Sequence, residues 1–173
     1  MTRYPIRGLR LRPGEERREA LQLVLQPLTF GGETYAVTPS EVPAEVVVQR
    51  AATGDVFRLT FSTRLEGPCM RCLQPASVAI DVDAQEYEAD DAGGDEELRS
   101  EYVADGELDV GAWARDAVAL GVPDQILCRP NCAGLCPVCG KDLNVEPHEH
   151  AEAVTDSRWA ALEALRTDAE VEP

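Results

Sequence analysis

Leu127-Cys-Arg-Pro-Asn-Cys-Ala-Gly-Leu-Cys-Pro-Val-Cys-Gly-Lys141 is the segment richest in cysteine, and it holds four of the six cysteines of the chain. The other two form a C-x-x-C pair in Gly67-Pro-Cys-Met-Arg-Cys-Leu73, and the only two histidines follow the cluster. The potential ligands are Cys69, Cys72, Cys128, Cys132, Cys136, Cys139, His148 and His150. Eight soft or borderline ligands are what two tetrahedral zinc ions require, at four ligands each.

The local sequence around each C-x-x-C pair favours a tight metal-binding turn. In Cys136-Pro-Val-Cys-Gly140, the glycine permits the positive φ that such a turn often needs, and Pro137 pre-sets the bend. Cys69 and Cys72 have the same spacing. Two C-x-x-C pairs separated by a long insert are a strong sequence signal for a metal. We therefore expect structural zinc, one or two ions per chain.

Three other interpretations of the cysteines remain open. A disulfide framework suits short secreted chains, whereas the start of this sequence has no apolar signal-peptide core. Redox chemistry would place a C-x-x-C pair at a helix N-terminus, where the thiol pKa falls, but Cys69 and Cys72 lie between two strand-like runs. The third interpretation is that the thiols are buried or free, without a metal.

The eight ligands can be divided between ions in more than one way. We prefer one site of Cys136, Cys139, His148 and His150, and a second of Cys69, Cys72, Cys128 and Cys132. The histidines are two residues apart, so in an extended segment their side chains share a face. One competing grouping joins the two C-x-x-C pairs, Cys69, Cys72, Cys136 and Cys139, on a single zinc. In another grouping, the four clustered cysteines bind one ion in a tightly folded segment. In a further alternative, His148 and His150 bind no metal.

Length and composition indicate an ordinary globular chain with an unusual charge. The 173 residues suffice for one domain with a real core, and no run approaches the ~18 apolar residues of a membrane span. We therefore expect a cytoplasmic protein with no membrane contact. There are 32 acidic residues against 16 Lys and Arg, a net charge of −16, which repels nucleic acid unless the basic residues are segregated.

The basic residues are partly segregated at the N-terminus. Six arginines lie in the first eighteen residues: Arg3, Arg7, Arg10, Arg12, Arg17 and Arg18. This arm could contact RNA or be a solvated tail. From Asp81 to Asp109 there are thirteen acidic residues and one base, Arg99. That stretch suits a basic partner protein, although acidic runs are also common in solvated loops.

Hydrophobic periodicity predicts a β-rich chain with two helices. Apolar residues alternate over 21–25, 56–63 and 78–82, and 46–49 is β-branched, so we expect strands there, with Cys69 and Cys72 at the tip of a hairpin. Asp109 is a good N-cap for a helix whose apolar face includes Trp113, and Asp156 caps a second helix. The element order predicts an α+β fold with a mainly antiparallel sheet and a small cysteine-rich metal-binding module.

The same patterns give expected boundaries. We predict a basic N-terminal arm over 1–18 and a β-rich domain over 19–126, with a disordered acidic loop at 88–101 and a helix at 109–120. A cysteine and histidine zinc module follows over 127–151, and a C-terminal helix and tail over 152–173.

Together these motifs resemble the YceD family, the large ribosomal RNA subunit accumulation proteins of bacteria and plastids. The resemblance is carried by Gly67-Pro-Cys-Met-Arg-Cys-Leu73 between strands, by Cys132-Ala-Gly-Leu-Cys-Pro-Val-Cys-Gly140, and by Asp156-Ser-Arg-Trp-Ala-Ala-Leu162. The chain differs in having His148-x-His150 where many members carry Cys-x-Cys, and Ser157 where proline is usual. The first difference exchanges one pair of zinc ligands for another.

The resemblance implies a role in the synthesis, processing or stability of large-subunit ribosomal RNA. It also implies a partner that is a ribosomal protein or a pre-ribosomal particle of the large subunit, with rRNA contact through the basic arm as a further option. Our first hypothesis is an accessory factor that is not an enzyme. Two other classes are a zinc-ribbon nucleic-acid-binding protein and a metal-dependent hydrolase. In the hydrolase, Glu146 or Glu149 would act as the base beside an open zinc position.

Overall fold

The computed structural model describes residues 2–150, and the chain divides into two compact units, 1–132 and 133–173. Each unit is described by itself below. The first contains all of the strands and helices found in the described residues. The second has one isolated β-bridge there, between Leu135 and Asp142. The predicted C-terminal helix beginning at Asp156 lies outside the described residues.

Nine strands, one α-helix and one 3₁₀ turn make up the first unit. The strands are β1 (Arg3–Pro5), β2 (Glu16–Val24), β3 (Leu28–Phe30), β4 (Glu33–Thr38), β5 (Glu41–Arg50), β6 (Gly54–Pro68), β7 (Pro75–Ala89), β8 (Val103–Ala104) and β9 (Glu107–Asp109). The α-helix, α1, spans Val110–Gly121, and the 3₁₀ turn spans Glu96–Leu98.

The main sheet is antiparallel and is built around β6. Its order is β2-β5-β6-β4-β3, and β7 also pairs with β6. The β6–β7 hairpin is the longest pairing, with register from Gly54 opposite Ala89 to Pro68 opposite Pro75. A second, three-stranded sheet has the order β1-β9-β8. The predicted α+β class with a mainly antiparallel sheet is confirmed.

The core lies between one face of the main sheet and α1. Alternation along β6 buries Phe57, Leu59 and Leu65 on this face. Helix α1 packs against β7 and β2, and its Trp113 is only 3% exposed. Asp109 caps the helix, because its Oδ1 accepts the backbone N–H of Ala112 at 3.0 Å. The sequence predicted this helix and its cap to within a residue.

Strands occupy part of the segment that was predicted as a basic arm, 1–18. Arg3–Pro5 forms β1, which pairs with β9, and Glu16 begins β2. The start of β2 is polar and exposed, so hydrophobic alternation could not reveal it. Its backbone pairing with β5, from Glu16 opposite Gln49, nevertheless makes it a strand.

Two regular elements lie in the segment predicted as a disordered acidic loop. In the acidic segment 88–101, β7 continues to Ala89, and the 3₁₀ turn is capped by Asp95, which accepts the N–H of Glu97. Within residues 2–150, no helix combines the length and apolarity needed to cross a bilayer.

Candidate metal centres

The first candidate centre lies at the end of the β6–β7 hairpin. Cys69 and Cys72 occupy the six-residue connection between Pro68 and Pro75, as the sequence predicted. The segment after α1 reaches the same place, since the N–H of Met70 donates to the carbonyl oxygen of Ile126 at 2.9 Å. This backbone contact brings Cys128 and Cys132, both beyond Ile126, to the hairpin tip.

Four sulfur atoms lie close together at this centre. The Sγ atoms of Cys69, Cys72, Cys128 and Cys132 all lie within 4.8 Å of one another. The Cys69–Cys132 distance is 3.8 Å and the Cys72–Cys128 distance is 3.6 Å. A disulfide requires about 2.05 Å, whereas four sulfurs bound to zinc at about 2.3 Å are separated by about 3.8 Å. The observed distances match the metal geometry.

The backbone around Cys69 forms a tight turn, here called the first knuckle (residues 69–74). The N–H of Leu73 donates to the carbonyl oxygen of Cys69 at 3.0 Å, and the N–H of Cys69 donates to the carbonyl oxygen of Gln74 at 2.7 Å. The N–H of Arg71 lies 3.5 Å from Cys69 Sγ. The turn therefore supplies amide hydrogens to a sulfur that would carry negative charge in a metal complex.

The thiol pKa values at this centre move in opposite directions. Burial opposes ionisation of Cys69, but backbone amides, led by that of Arg71, outweigh it and lower its pKa to about 6. For Cys72, the backbone N–H of Gln74 favours the thiolate, but burial and the three neighbouring thiols raise the pKa to about 12. Four thiolates cannot coexist here without compensation, and a bound cation would supply it.

The side chain of Arg71 forms hydrogen bonds beside the first centre. Its Nε and Nη2 atoms donate to Gln125 Oε1 at 3.1 and 2.8 Å, and its Nη1 donates to the carbonyl oxygen of Cys132 at 3.1 Å. One side chain thus links the hairpin tip to both ends of the segment that carries the other two sulfurs. This role of Arg71 could not be predicted from the sequence, because C-x-x-C spacing does not distinguish an x residue that hydrogen-bonds to the centre from one that is solvated.

The second candidate centre lies wholly in the second unit. The ligand atoms of Cys136, Cys139, His148 and His150 lie within 4.8 Å of one another. Cys139 Sγ is 3.1 Å from His148 Nε2. His148 Nδ1 is 2.7 Å from the carbonyl oxygen of Glu146, so Nδ1 carries the proton and Nε2 faces the cysteines. Such a backbone acceptor commonly orients a metal-binding histidine.

The turn at Cys136, here called the second knuckle (residues 136–141), repeats the hydrogen bonds of the first. The N–H of Cys136 donates to the carbonyl oxygen of Lys141, and the N–H of Gly140 to that of Cys136, both at 2.8 Å. The backbone N–H of Cys139 is the leading cause that lowers the Cys136 pKa to about 6. Both knuckles therefore favour a thiolate at their first cysteine.

The two centres differ in exposure. At the first, Cys69, Cys72 and Cys132 are buried and only Cys128 is exposed. At the second, Cys136 alone is buried, His148 is half-buried, and Cys139 and His150 are exposed. A ligand exchanged with solvent would reach the second centre more easily.

The structure brings the eight sequence-predicted residues together in the division that the spacing favoured. In the described residues, Cys69 and Cys72 cluster with Cys128 and Cys132, and Cys136 and Cys139 cluster with His148 and His150. A helix N-terminus at Cys69, which redox chemistry would favour, is not formed, because the pair lies in a hairpin connection. Of the two glutamates considered as a catalytic base, Glu146 is bound to Lys141 Nζ at 2.8 Å.

Fold and centres together define a class: an antiparallel β-sheet protein with one Cys₄ and one Cys₂His₂ cluster of potential metal ligands. Comparison with known families is consistent with the sequence motifs. Residues 57–166 match the family model described as "Large ribosomal RNA subunit accumulation protein YceD". The chain belongs to the YceD family.

Related proteins come from bacteria and from a plant. An uncharacterized protein of Mycobacterium tuberculosis is 33% identical over 144 residues, which cover 80% of this chain and 69% of that protein. An uncharacterized protein of Mycobacterium leprae is 35% identical over 100 residues, or 54% of this chain and 45% of that one. The Zea mays protein "Large ribosomal RNA subunit accumulation protein YCED homolog 1, chloroplastic" is 29% identical, with coverage of 68% and 52%. No solved structure matches the chain.

Proposed function

We propose that this protein is a cytoplasmic, non-enzymatic accessory factor in large ribosomal subunit biogenesis. In this role it supports the synthesis, processing or stability of 23S rRNA, and zinc at both centres fixes its shape. The observation that carries the proposal is membership of a family described by large ribosomal RNA subunit accumulation. The name of the maize relative describes the same process for that protein.

Zinc at the first centre is supported by sulfur geometry. The two measured Sγ–Sγ distances fall close to the edge of a zinc–thiolate tetrahedron, and buried thiols at such spacing repel one another once ionised. Zinc at the second centre is supported by the fixed tautomer of His148, whose Nε2 is directed towards Cys139. A mixed set of thiolates and imidazoles suits zinc better than magnesium or calcium, which prefer oxygen.

The ligand sets favour a structural over a catalytic metal. Each centre offers four protein ligands, which fill a tetrahedral shell, whereas a catalytic zinc keeps one position for water. The carboxylate of Glu146 forms an ion pair with Lys141, so it is not directed at the second centre as a base would be. The proposal is therefore that binding, rather than chemistry on rRNA, constitutes the activity.

The charge of the chain favours a basic partner. The net charge is −16, and the exposed Asp81 on the outer face of β7 forms no ion pair among residues 2–150. Ribosomal assembly brings many basic proteins together with RNA, and an acidic surface can bind such a protein before RNA competes for it. We propose a basic large-subunit ribosomal protein, or the pre-ribosomal particle that contains it, as the partner.

Depletion of the protein in its own host tests the function. The expected result is a lower ratio of mature 23S to 16S rRNA, restored by the wild-type gene. A Cys69→Ser/Cys72→Ser variant should restore it poorly, and a Thr29→Ala/Thr34→Ala variant at exposed positions of the β3–β4 hairpin serves as the matched control. An unchanged rRNA ratio after depletion would contradict the proposed role.

A biochemical experiment separates the accessory factor from a nuclease. Tagged protein in a cell extract should co-sediment with large-subunit precursors, and pull-down should recover a ribosomal protein or rRNA. The zinc-loaded protein should leave a 23S transcript intact. Cleavage that disappears on chelation and returns with zinc would replace the accessory role with that of a metal-dependent nuclease.

A further inference from the structure

The six N-terminal arginines fall into two structural groups. Three lie in strands and form ion pairs: Arg3 with Glu107 at 3.4 Å, Arg17 with Glu19 at 2.6 Å, and Arg18 with Glu16 at 2.8 Å. The other three lie between β1 and β2, in residues 6–15, here called the arginine loop. Within residues 2–150, no carboxylate forms an ion pair with Arg7, Arg10 or Arg12.

The arginine loop is anchored at both ends. The N–H of Arg7 donates to the carbonyl oxygen of Gly106 at 2.8 Å, and the N–H of Gly14 donates to that of Arg50 at 2.8 Å. Inside the loop, the N–H of Glu15 donates to the carbonyl oxygen of Arg12 at 2.8 Å. The three free guanidinium groups therefore project from a segment with defined attachments, and a ligand does not have to order a free tail.

Alternation within the loop separates its apolar and charged residues. Leu9 and Leu11 are half-buried, whereas Arg10 and Arg12 are exposed. The leucines hold the segment against the body of the unit and leave the arginines in solvent. The acid nearest in sequence, Glu15, directs Oε2 to the backbone N–H of Arg12 at 2.8 Å and away from any guanidinium. The guanidinium groups of Arg7, Arg10 and Arg12 therefore remain without a carboxylate partner among residues 2–150.

These three unpaired guanidinium groups stand out in a chain of net charge −16. At physiological ionic strength, charges more than about 8 Å apart are largely screened from one another. Binding of a polyanion at the loop therefore depends on charges within that distance more than on the net charge. A guanidinium offers five N–H donors in a fixed fork, which matches the oxygens of a phosphate.

We propose that the arginine loop is an RNA-binding site, in which Arg7, Arg10 and Arg12 contact phosphate groups of large-subunit rRNA. The choice of RNA as the polyanion rests on the function proposed above, and the choice of residues rests on the structure alone. Contacts to phosphate position a protein on RNA without reading its sequence, so this site supplies salt-dependent affinity rather than base specificity.

Deletion of residues 1–18 cannot test this site, because it would also remove β1 and the start of β2. We suggest two charge-matched triple variants instead. Arg7→Gln/Arg10→Gln/Arg12→Gln removes the free group, and Arg3→Gln/Arg17→Gln/Arg18→Gln removes the ion-paired group. Both change the net charge by three. Unchanged circular dichroism and metal content would confirm that both remain folded.

The measurement is binding of a fluorescein-labelled 23S rRNA transcript to the full-length protein over a range of salt concentrations. Wild-type affinity should fall linearly with salt on logarithmic axes. Loss of three phosphate contacts should reduce the magnitude of that slope by about 2 to 3 and weaken binding at low salt by more than tenfold. The control triple should retain the wild-type slope.

Three outcomes would overturn the proposal. They are the absence of RNA binding at low salt, an equal loss in both triple variants, and binding of poly-glutamate as tightly as RNA. The last would indicate an acidic protein as the ligand. The two proposals can fail separately. If depletion lowers 23S rRNA but the loop variant binds RNA as well as the wild type does, only the RNA-binding site is rejected. If depletion leaves rRNA normal but RNA binding depends on the loop, only the cellular role is rejected.

Discussion

Leu73 and Gly140 occupy the same position in two turns of the same geometry. Each follows the second cysteine of a C-x-x-C pair, with φ of 62° for Leu73 and 72° for Gly140. Each donates its N–H to the carbonyl oxygen of the first cysteine, at 3.0 and 2.8 Å. The left-handed conformation is natural for glycine but costs a leucine roughly 1–2 kcal/mol, so the first knuckle is strained where the second is not.

Replacement of Leu73 by glycine should relieve this strain. The side chain is 59% exposed, so little burial is lost, and the relief outweighs the greater flexibility of glycine in the unfolded chain. We expect the Leu73→Gly variant to raise the free energy of unfolding by up to about 1 kcal/mol, measured by urea denaturation of the metal-loaded protein.

The matched control is Leu73→Ala, which removes the same side chain but keeps the unfavourable φ. It should give no stabilisation. Equal effects of alanine and glycine would show that the side chain, and not the backbone conformation, determines the stability of this turn.

Gly67 in β6 leaves space for the ring of Tyr35, which lies in the neighbouring strand β4. A Cβ atom at this position would lie 2.4 Å from Tyr35 Cδ1. The ring cannot retreat freely, because it is buried and its hydroxyl donates to the carbonyl oxygen of Pro68 at 2.9 Å, one residue before Cys69. Gly67→Ala should therefore lower the free energy of unfolding by about 2 kcal/mol. In a Tyr35→Ala background, Gly67→Ala should lower the free energy of unfolding only slightly. An equally large loss there would show that the steric clash with Tyr35 is not the cause.

Thr63 carries a buried hydroxyl that its surroundings do not satisfy. The residue is 7% exposed on the inner face of β6, opposite Ile80, and its Oγ1 has no hydrogen-bond partner among residues 2–150. Valine has the same shape without the polar atom, so Thr63→Val should raise the free energy of unfolding by about 1 kcal/mol. Thr60→Val, on the other face of the strand, should change it by less than about 0.5 kcal/mol. A destabilised Thr63→Val protein would indicate a partner for the hydroxyl.

Sequence patterns predicted the parts of the fold in which one strand face is buried. Alternation located β6 and β7, because Leu59 and Val82 face the core while Arg58 and Asp83 form an ion pair outside. It failed at β1, whose pairing of Arg3 with Asp109 joins residues far apart in sequence. Three-residue strands offer too few positions for a periodic signal.

The clustered cysteines and histidines could be predicted from the sequence, but the hydrogen bonds that position them could not. C-x-x-C spacing identified the four cysteines of the two knuckles, since the turn itself requires that spacing. The contact of Met70 with Ile126, and the bracing of Cys132 by Arg71, depend on how the chain returns after α1. The glycine at position 140 indicated a positive φ, whereas nothing in the sequence indicated one at Leu73.

The central claim is that each chain binds two zinc ions at separate centres. The most direct measurement is zinc per mole of purified protein, together with thiol titration. We predict two zinc ions for the wild type and one each for Cys69→Ser/Cys72→Ser and Cys136→Ser/Cys139→Ser, with six titratable thiols in the wild type after denaturation and chelation. A metal-free folded protein, or cysteines found in disulfides, would contradict the account.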